Sequence, residues 1–312
     1  EGSTPEFGSG AGVMEGGFAR VARLQIGKAV LRGEVFSVDP LDGMKTVEGA
    51  SISGLVGYEV FSRFVTRIDY GAGAITLLDP REFNPGEAGT PVSFVFHAHI
   101  PEVEGTFEGR PGRFIIDTGA RFELSLTKSF VEREELRAKH PNGIEAVYGW
   151  GIGGAVRGYI TRATNMTFGD VKVDDVVTDM STENRGGLSG SIGGGILKRF
   201  IVTLDYAHQT IYLKPRPRPV PDTGVFDRSG MWVNDSPQGF DVVDVTQGAP
   251  AAEAGLKVGD TIVAVDGVPV SKLHLYALRQ QLRDDPPGTV VTLRVKEGAA
   301  VGDFKLTLRD LI

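Results

Sequence analysis

Apolar residues along this chain come in short runs, many of them rich in Val, Ile and Thr, and Gly-rich turns separate the runs. Branched side chains fit a pleated, half-buried surface, so the pattern predicts a mainly β protein. The segment VSFVFHAHI (92–100) reads as one strand on which His97 and His99 alternate. Phe114, Ile115 and Ile116 form a continuous apolar run, which predicts a strand buried on both faces and ending at Asp117. Helical character runs from Thr127 to Lys139. Near the C-terminus Leu275, Leu278 and Leu282 share one helical face, with Ser271 as candidate N-cap, and VVTLRV and DFKLTLRD follow as closing strands. DPREFNPGEAGTP (79–91) is turn-rich, and KPRPRP (214–219) reads as an extended linker. The chain contains no run of about 18 apolar residues of the kind that spans a membrane as a helix.

The pattern repeats. SGLVGYEVFSRFVTRIDYGAGAITL (53–77) aligns without a gap on SGSIGGGILKRFIVTLDYAHQTIYL (189–213), at an offset of 136. Gly54 meets Gly190, Gly57 meets Gly193, Arg63-Phe64 meets Arg199-Phe200, and Asp69-Tyr70 meets Asp205-Tyr206. Upstream, Gly8–Gly27 resembles Gly149–Gly169 at an offset of 142, with Arg20 on Arg162 and Gly27 on Gly169. Duplication of a β-rich unit predicts two similar lobes about a pseudo-twofold axis. The second copy begins near Pro91 and carries about 50 residues, including FIIDTGA (114–120), for which the first copy has no counterpart. Carried back by 142, the equivalent of Asp117 is expected about 25 residues before Glu1. The expected organisation is an incomplete first lobe (1–82), a second lobe (83–214), a Pro-rich linker (215–224) and a third domain (225–312).

Composition narrows the chemistry. The 312 residues are 41% hydrophobic and 23% charged, ordinary for a globular protein, but the 43 Gly are about twice the usual share. A net charge of −7 without a basic block argues against a nucleic-acid partner. The absence of Cys excludes disulfides, thiol catalysis and Cys-ligated metal. His97 and His99 lack an evident third ligand, and His140, His208 and His274 are scattered, so strand-face histidines are expected instead of a metal site.

Asp117 is the candidate catalytic residue. A carboxylate delivered by a buried strand, then Thr118, Gly119 and Ala120, resembles the Asp-Thr-Gly loops of the pepsin and retropepsin class of aspartic proteases. The resemblance extends to GWGIGG (149–154), similar to a Gly-rich flap with Trp150, Gly151, Ile152 and Gly153 facing substrate. It also covers the apolar-plus-Gly signature beside the catalytic loop, as Ile192-Gly193 and Val56-Gly57. GWGIGG also fits a dinucleotide fingerprint, but no βαβ pattern surrounds it. A second Asp-Thr-Gly, Asp222–Gly224, follows Pro instead of an apolar strand and reads as a turn. Asp69 and Asp205 read as structural acids at strand ends. VVDVTQGAPAAEAGLKVGDTIVAVDGVPV (242–270) resembles a PDZ domain, which implies a peptide site with Gly230, Met231, Trp232 and Val233 as its carboxylate loop.

Together these resemblances imply two retropepsin-like β-barrel lobes, the first incomplete, and a C-terminal PDZ domain. The implied function is an aspartic endopeptidase acting on extended proteins or peptides, with this chain a truncated or processed form holding one of two catalytic aspartates. The implied partners are a peptide substrate, the missing N-terminal segment and a C-terminal peptide at the PDZ. The family setting implies a periplasmic or envelope location, and the resemblance implies no metal and no organic cofactor. The alternatives are a non-catalytic peptide-binding protein and a protease active as a homodimer.

Overall fold

The computed structural model describes residues 4–7, 13–38, 41–151, 154–218, 224–298 and 300–312. Its first part contains β1 (Thr4–Phe7), β2 (Val13–Val21), β3 (Leu24–Ile26), β4 (Ala29–Leu31), β5 (Glu34–Val38), α1 (Asp42–Glu48), α2 (Tyr58–Phe61), β6 (Val65–Asp69) and β7 (Ala74–Leu78). β1, β2 and β5 form one small sheet, and β3 and β4 form a hairpin.

The second part contains β8 (Thr90–Ser93), β9 (Val95–His97), β10 (Ile100–Phe107), β11 (Arg110–Ile116), β12 (Leu124–Leu126), α3 (Lys128–Arg133), α4 (Leu136–Lys139), β13 (Ile144–Gly151), β14 (Gly154–Phe168), β15 (Val171–Ser181), β16 (Gly190–Ile192), α5 (Gly194–Leu197), β17 (Phe200–Asp205) and β18 (Thr210–Pro215). Eight strands order as β13-β14-β15-β12-β16-β11-β10-β9, and β14 also pairs with β10. That extra pairing closes β14, β15, β12, β16, β11 and β10 into a barrel, which removes their exposed edges. Phe107, Phe114, Phe130, Leu124, Leu126, Met166 and Phe168 fill it and are essentially unexposed.

Two segments differ from the sequence expectation. VSFVFHAHI is not one strand: it turns at Ala98 and His99, both at positive φ, and β9 folds back on β10 with His97 opposite Ile100. The helical stretch after Thr127 breaks at Glu135, whose φ of 53° reverses the chain between α3 and α4 and lets Leu136 enter the barrel core.

The two repeats meet in a five-stranded sheet ordered β7-β6-β17-β18-β8. β6 of the first copy pairs antiparallel with β17 of the second, and Arg67 faces Thr203, its own equivalent at the offset of 136. Thr66 faces Leu204 and Ile68 faces Val202, so the contact is self-complementary about a local twofold at Arg67 and Thr203. Smaller devices repeat as well. α2 and α5 coincide at the same offset. Arg20 donates to the Gly33 carbonyl, and Arg162 donates to Asp175, at the offset of 142.

The C-terminal part contains β19 (Met231–Ser236), β20 (Gly239–Val245), α6 (Pro250–Glu253), β21 (Thr261–Val265), β22 (Val268–Pro269), α7 (Leu275–Asp284), β23 (Val290–Glu297) and β24 (Ala300–Thr307). Its sheet runs β19-β20-β21-β23-β24, with β22 on β21 and β19 at one edge. Leu275, Leu278 and Leu282 of α7 enter a core separate from the barrel's. Ser271 does not cap α7. It lies in a single 3₁₀ turn, and extended Leu273 separates that turn from the helix, whose N-cap is His274.

Candidate active site

Asp117 stands where β11 leaves the barrel. β11 runs parallel to β16, with Ile116 opposite Ile192, and both side chains are buried. The Asp117 N–H donates to the Ile192 carbonyl at 2.9 Å, which ties the acid to the neighbouring strand. Its own Oδ1 accepts the Gly119 N–H at 3.0 Å, so the carboxylate is oriented by the turn it begins. Asp117 and Thr118 are half-buried.

Glycines allow the loop to close. The Gly194 N–H donates to the Ala120 carbonyl at 2.8 Å, and the Gly195 N–H donates to the Phe122 carbonyl at 2.9 Å. A Cβ on Gly193 would lie 2.3 Å from the Phe122 carbonyl oxygen, so no other residue fits this approach. Asp117, Gly119, Ala120, Ile192 and Gly194 therefore form one hydrogen-bonded cluster, and the Gly193 N–H donates to the Glu123 carbonyl beside it at 2.9 Å. Val56 and Gly57, of the first repeat, lie outside any strand, with Val56 48% and Leu55 75% exposed.

Glu123 anchors the loop from below. Its buried carboxylate accepts the Val177 N–H at 2.7 Å, the Gly224 N–H at 2.7 Å and Arg199 Nη2 at 2.7 Å. An acid inside the run FELSL was the available signal. Tyr70, in the turn after β6, brings the first repeat within electrostatic reach of Asp117. Its hydroxyl is buried without a hydrogen-bond partner among the described residues. Burial, with the Asp117 charge as the second cause, pushes its pKa up to about 12.

The β13–β14 hairpin projects beside the loop. Trp150 pairs with Ala155 and Gly151 with Gly154 at its end, while Ile152 and Gly153 lie outside the described residues. Along β13, Tyr148 meets Phe122 edge to face at 6.4 Å. Asp179 lies behind them, fully buried, accepting from Ser125 Oγ at 2.7 Å, and burial raises its pKa to about 7. Asp222 and Thr223 of the second Asp-Thr-Gly are outside the described residues. Asp69 accepts the Gly71 and Ala72 N–H groups, and Asp205 accepts the His208 N–H, so both bracket hairpin turns. Arg216, the foremost cause, holds Asp69 below the usual carboxylate range.

His97 pairs with Glu102, His140 with Glu108 and His208 with Asp205, while His99 stacks on Tyr58 at 4.4 Å. Among the described residues no three His, Asp or Glu are grouped to hold a metal, and no helix is long and apolar enough to cross a membrane.

Gly230, Met231, Trp232 and Val233 line a cavity of about 190 Å³ between the barrel and the C-terminal sheet, with Phe122 and Tyr148 opposite. Asp117 does not line it. The loop before β19 folds around Asp227, whose Oδ1 accepts from the Ser229 N–H at 2.9 Å, Ser229 Oγ at 2.7 Å and the Gly230 N–H at 2.7 Å. Burial raises the Asp227 pKa to about 6.

Residues 103–195, which hold Asp117, the hairpin and β16, match the aspartyl protease family. Residues 242–297 match the PDZ domain family. Residues 103–195 thus form an aspartyl protease-like domain, and a PDZ-like domain follows at 242–297. The PDZ match begins after β19, so Gly230 to Val233 lie outside it.

No curated protein matches the chain in sequence. Among solved structures, the chain is similar to an aminopeptidase N family protein from Idiomarina loihiensis (25% identity, TM-score 0.25, 29% of this chain and 15% of that one). It is similar to a retropepsin-like aspartic protease from Rickettsia conorii (13% identity, TM-score 0.31, 39% of this chain and 86% of that one). A third is the retroviral protease-like domain of Ddi1 from Leishmania major (16% identity, TM-score 0.24, 38% of this chain and 98% of that one).

Proposed function

We propose that this chain is the larger part of an aspartic endopeptidase in which Asp117 is one of two carboxylates that activate water. The observation that carries the reading is the difference between equivalent segments of the two repeats. In the second repeat β16 is paired on both sides, by β11 and β12, and Ile192 is fully buried. In the first, the equivalent Gly54–Val56 forms no strand and leaves Leu55 and Val56 in solvent. A strand ending in a second Asp-Thr-Gly would cover those side chains as β11 covers β16. It would set its carboxylate opposite Asp117 across the local twofold.

Two close carboxylates cannot both ionise, so they share a proton. The ionised one takes a proton from water, and the protonated one polarises the peptide carbonyl. The substrate is a protein or peptide in extended form, covered by the β13–β14 hairpin. A periplasmic or envelope location belongs to the same reading. A homodimer joining two Asp117 loops is disfavoured, because β6 already occupies the position across the twofold from β17.

Hydrolysis of an unfolded protein substrate tests this. The chain alone should be inert, and the chain joined to the upstream segment of its natural gene product should cleave. Cleavage by the chain alone, second order in chain, would favour the homodimer. Inertness of both would favour a peptide-binding protein.

A further inference from the structure

The groove of the PDZ domain is occupied by the chain itself. A PDZ domain captures a peptide by adding it as a strand at a sheet edge and by seating its carboxylate in a nest of backbone N–H groups. Here β19 is the edge strand, and α7 packs beside it. Helix α1 of the first repeat packs against β19. Val47 of α1 is only 3% exposed, and its carbonyl accepts from Arg279 Nη1 of α7 at 2.6 Å. The same guanidinium donates through Nη2 to the Val233 carbonyl of β19 at 2.6 Å and lies 4.6 Å from the Trp232 ring centroid. Gly49, where α1 ends, lies so close to α7 that a Cβ there would sit 2.8 Å from Leu275 Cβ. Glu48 is ion-paired with Arg121, four residues after Asp117. One short helix is thus gripped by both walls of the groove and by the protease domain.

The groove's capture devices are engaged from within. Arg279 takes the Val233 carbonyl, an edge acceptor that an added strand would need. The Asp227 carboxylate takes the Ser229 and Gly230 N–H groups of the nest. We infer that residues 41–49 are a built-in ligand of the PDZ domain, and that any peptide entering the groove must first displace α1. Displacement would free the segment 49–57, the connection between the groove and the part of the first repeat that carries Leu55 and Val56. The PDZ domain then reports peptide binding to the protease lobes by letting go of α1. This inference rests on the PDZ contact and stands or falls apart from the role of Asp117.

The test uses the full chain and a synthetic peptide of residues 41–49, LDGMKTVEG. Val47→Asp places a charge where Val47 is buried and should expel α1. Gly49→Ala should loosen the same contact through its Cβ, without a buried charge. Thr46→Asp, at an exposed position, is the control. Hydrogen exchange should show α1 amides protected in the wild type and the control, and unprotected in Val47→Asp and Gly49→Ala, with β20 and β23 protected throughout. The peptide should bind the two displaced variants at least ten-fold more tightly than the wild type, and adding Arg279→Ala should abolish that binding. Equal peptide affinity for wild type and both displaced variants, or unprotected α1 amides in the wild type, would overturn the inference.

Discussion

Asp117 is placed by its neighbours more than by its own contacts, and Glu123 is the most connected of them. Removing the Glu123 carboxylate would leave the Val177 and Gly224 N–H groups without their acceptor and the Arg199 charge without its carboxylate, with only the Asp174 and Asp175 carbonyls still accepting from it among the described residues. Breaking one partner of a buried ion pair costs about 3–5 kcal/mol. Glu123→Ala should lose roughly that much in urea unfolding, and a loss under about 1 kcal/mol would contradict the anchoring role. Asp179 makes a pH-dependent contribution. Unfolded aspartate titrates near about 3.9, and buried Asp179 titrates at about 7. The native state therefore holds the extra proton, and this contribution is complete below about pH 4 and lost as pH rises through 7. Asp179→Asn should lose less stability than the wild type between pH 4 and 7, read by urea unfolding at stepped pH. Parallel curves would show that Asp179 does not titrate there. Asp117 was legible as a residue because an apolar run led into it. Glu123 showed only as an acid inside FELSL, and neither its role nor that of Asp227 was legible, since most of their partners are backbone N–H groups that no side-chain pattern reveals.

At the level of elements, the two repeats make a controlled comparison. A Cβ at Gly190 would meet the Ser125 carbonyl oxygen at 2.3 Å, whereas its equivalent Gly54 has nothing within 4 Å. Gly190→Ala should cost about 1–3 kcal/mol through overpacking, and Gly54→Ala should stay within about 0.5 kcal/mol, both read by thermal unfolding. Equal costs would mean that the first repeat packs its segment as the second does. The mainly β character, the buried strand at Phe114–Ile116 and the apolar face of α7 were readable from spacing alone. The turn at Ala98 and His99 was not, because the run gives no Gly or Asn to mark it. Nor was the break at Glu135, which follows from Leu136 reaching the core and not from local propensity.

Over the whole molecule, the repeat in the sequence corresponds to a physical axis at Arg67 and Thr203, because equivalent strands pair with one another. The sheet at that axis shares its core with the barrel: Ile68 belongs to the same cluster as Phe114 and Val202, while the PDZ core is separate. Ile68→Asp should therefore lower the unfolding temperature of the protease lobes and leave that of the PDZ domain in place, seen as two transitions in calorimetry. One transition shifted as a whole would show that the domains unfold as a unit. The contact of α1 with the PDZ groove was invisible in the sequence, since Val47 and Arg279 are 232 residues apart and neither stands in a motif. The central claim is that Asp117 is one member of a catalytic pair. It is tested most directly by the rate of peptide hydrolysis by the natural gene product with Asp117→Asn beside the wild type. The account predicts a fall of about 10²–10⁴-fold with the fold intact, and hydrolysis by the Asn variant at the wild-type rate would contradict it.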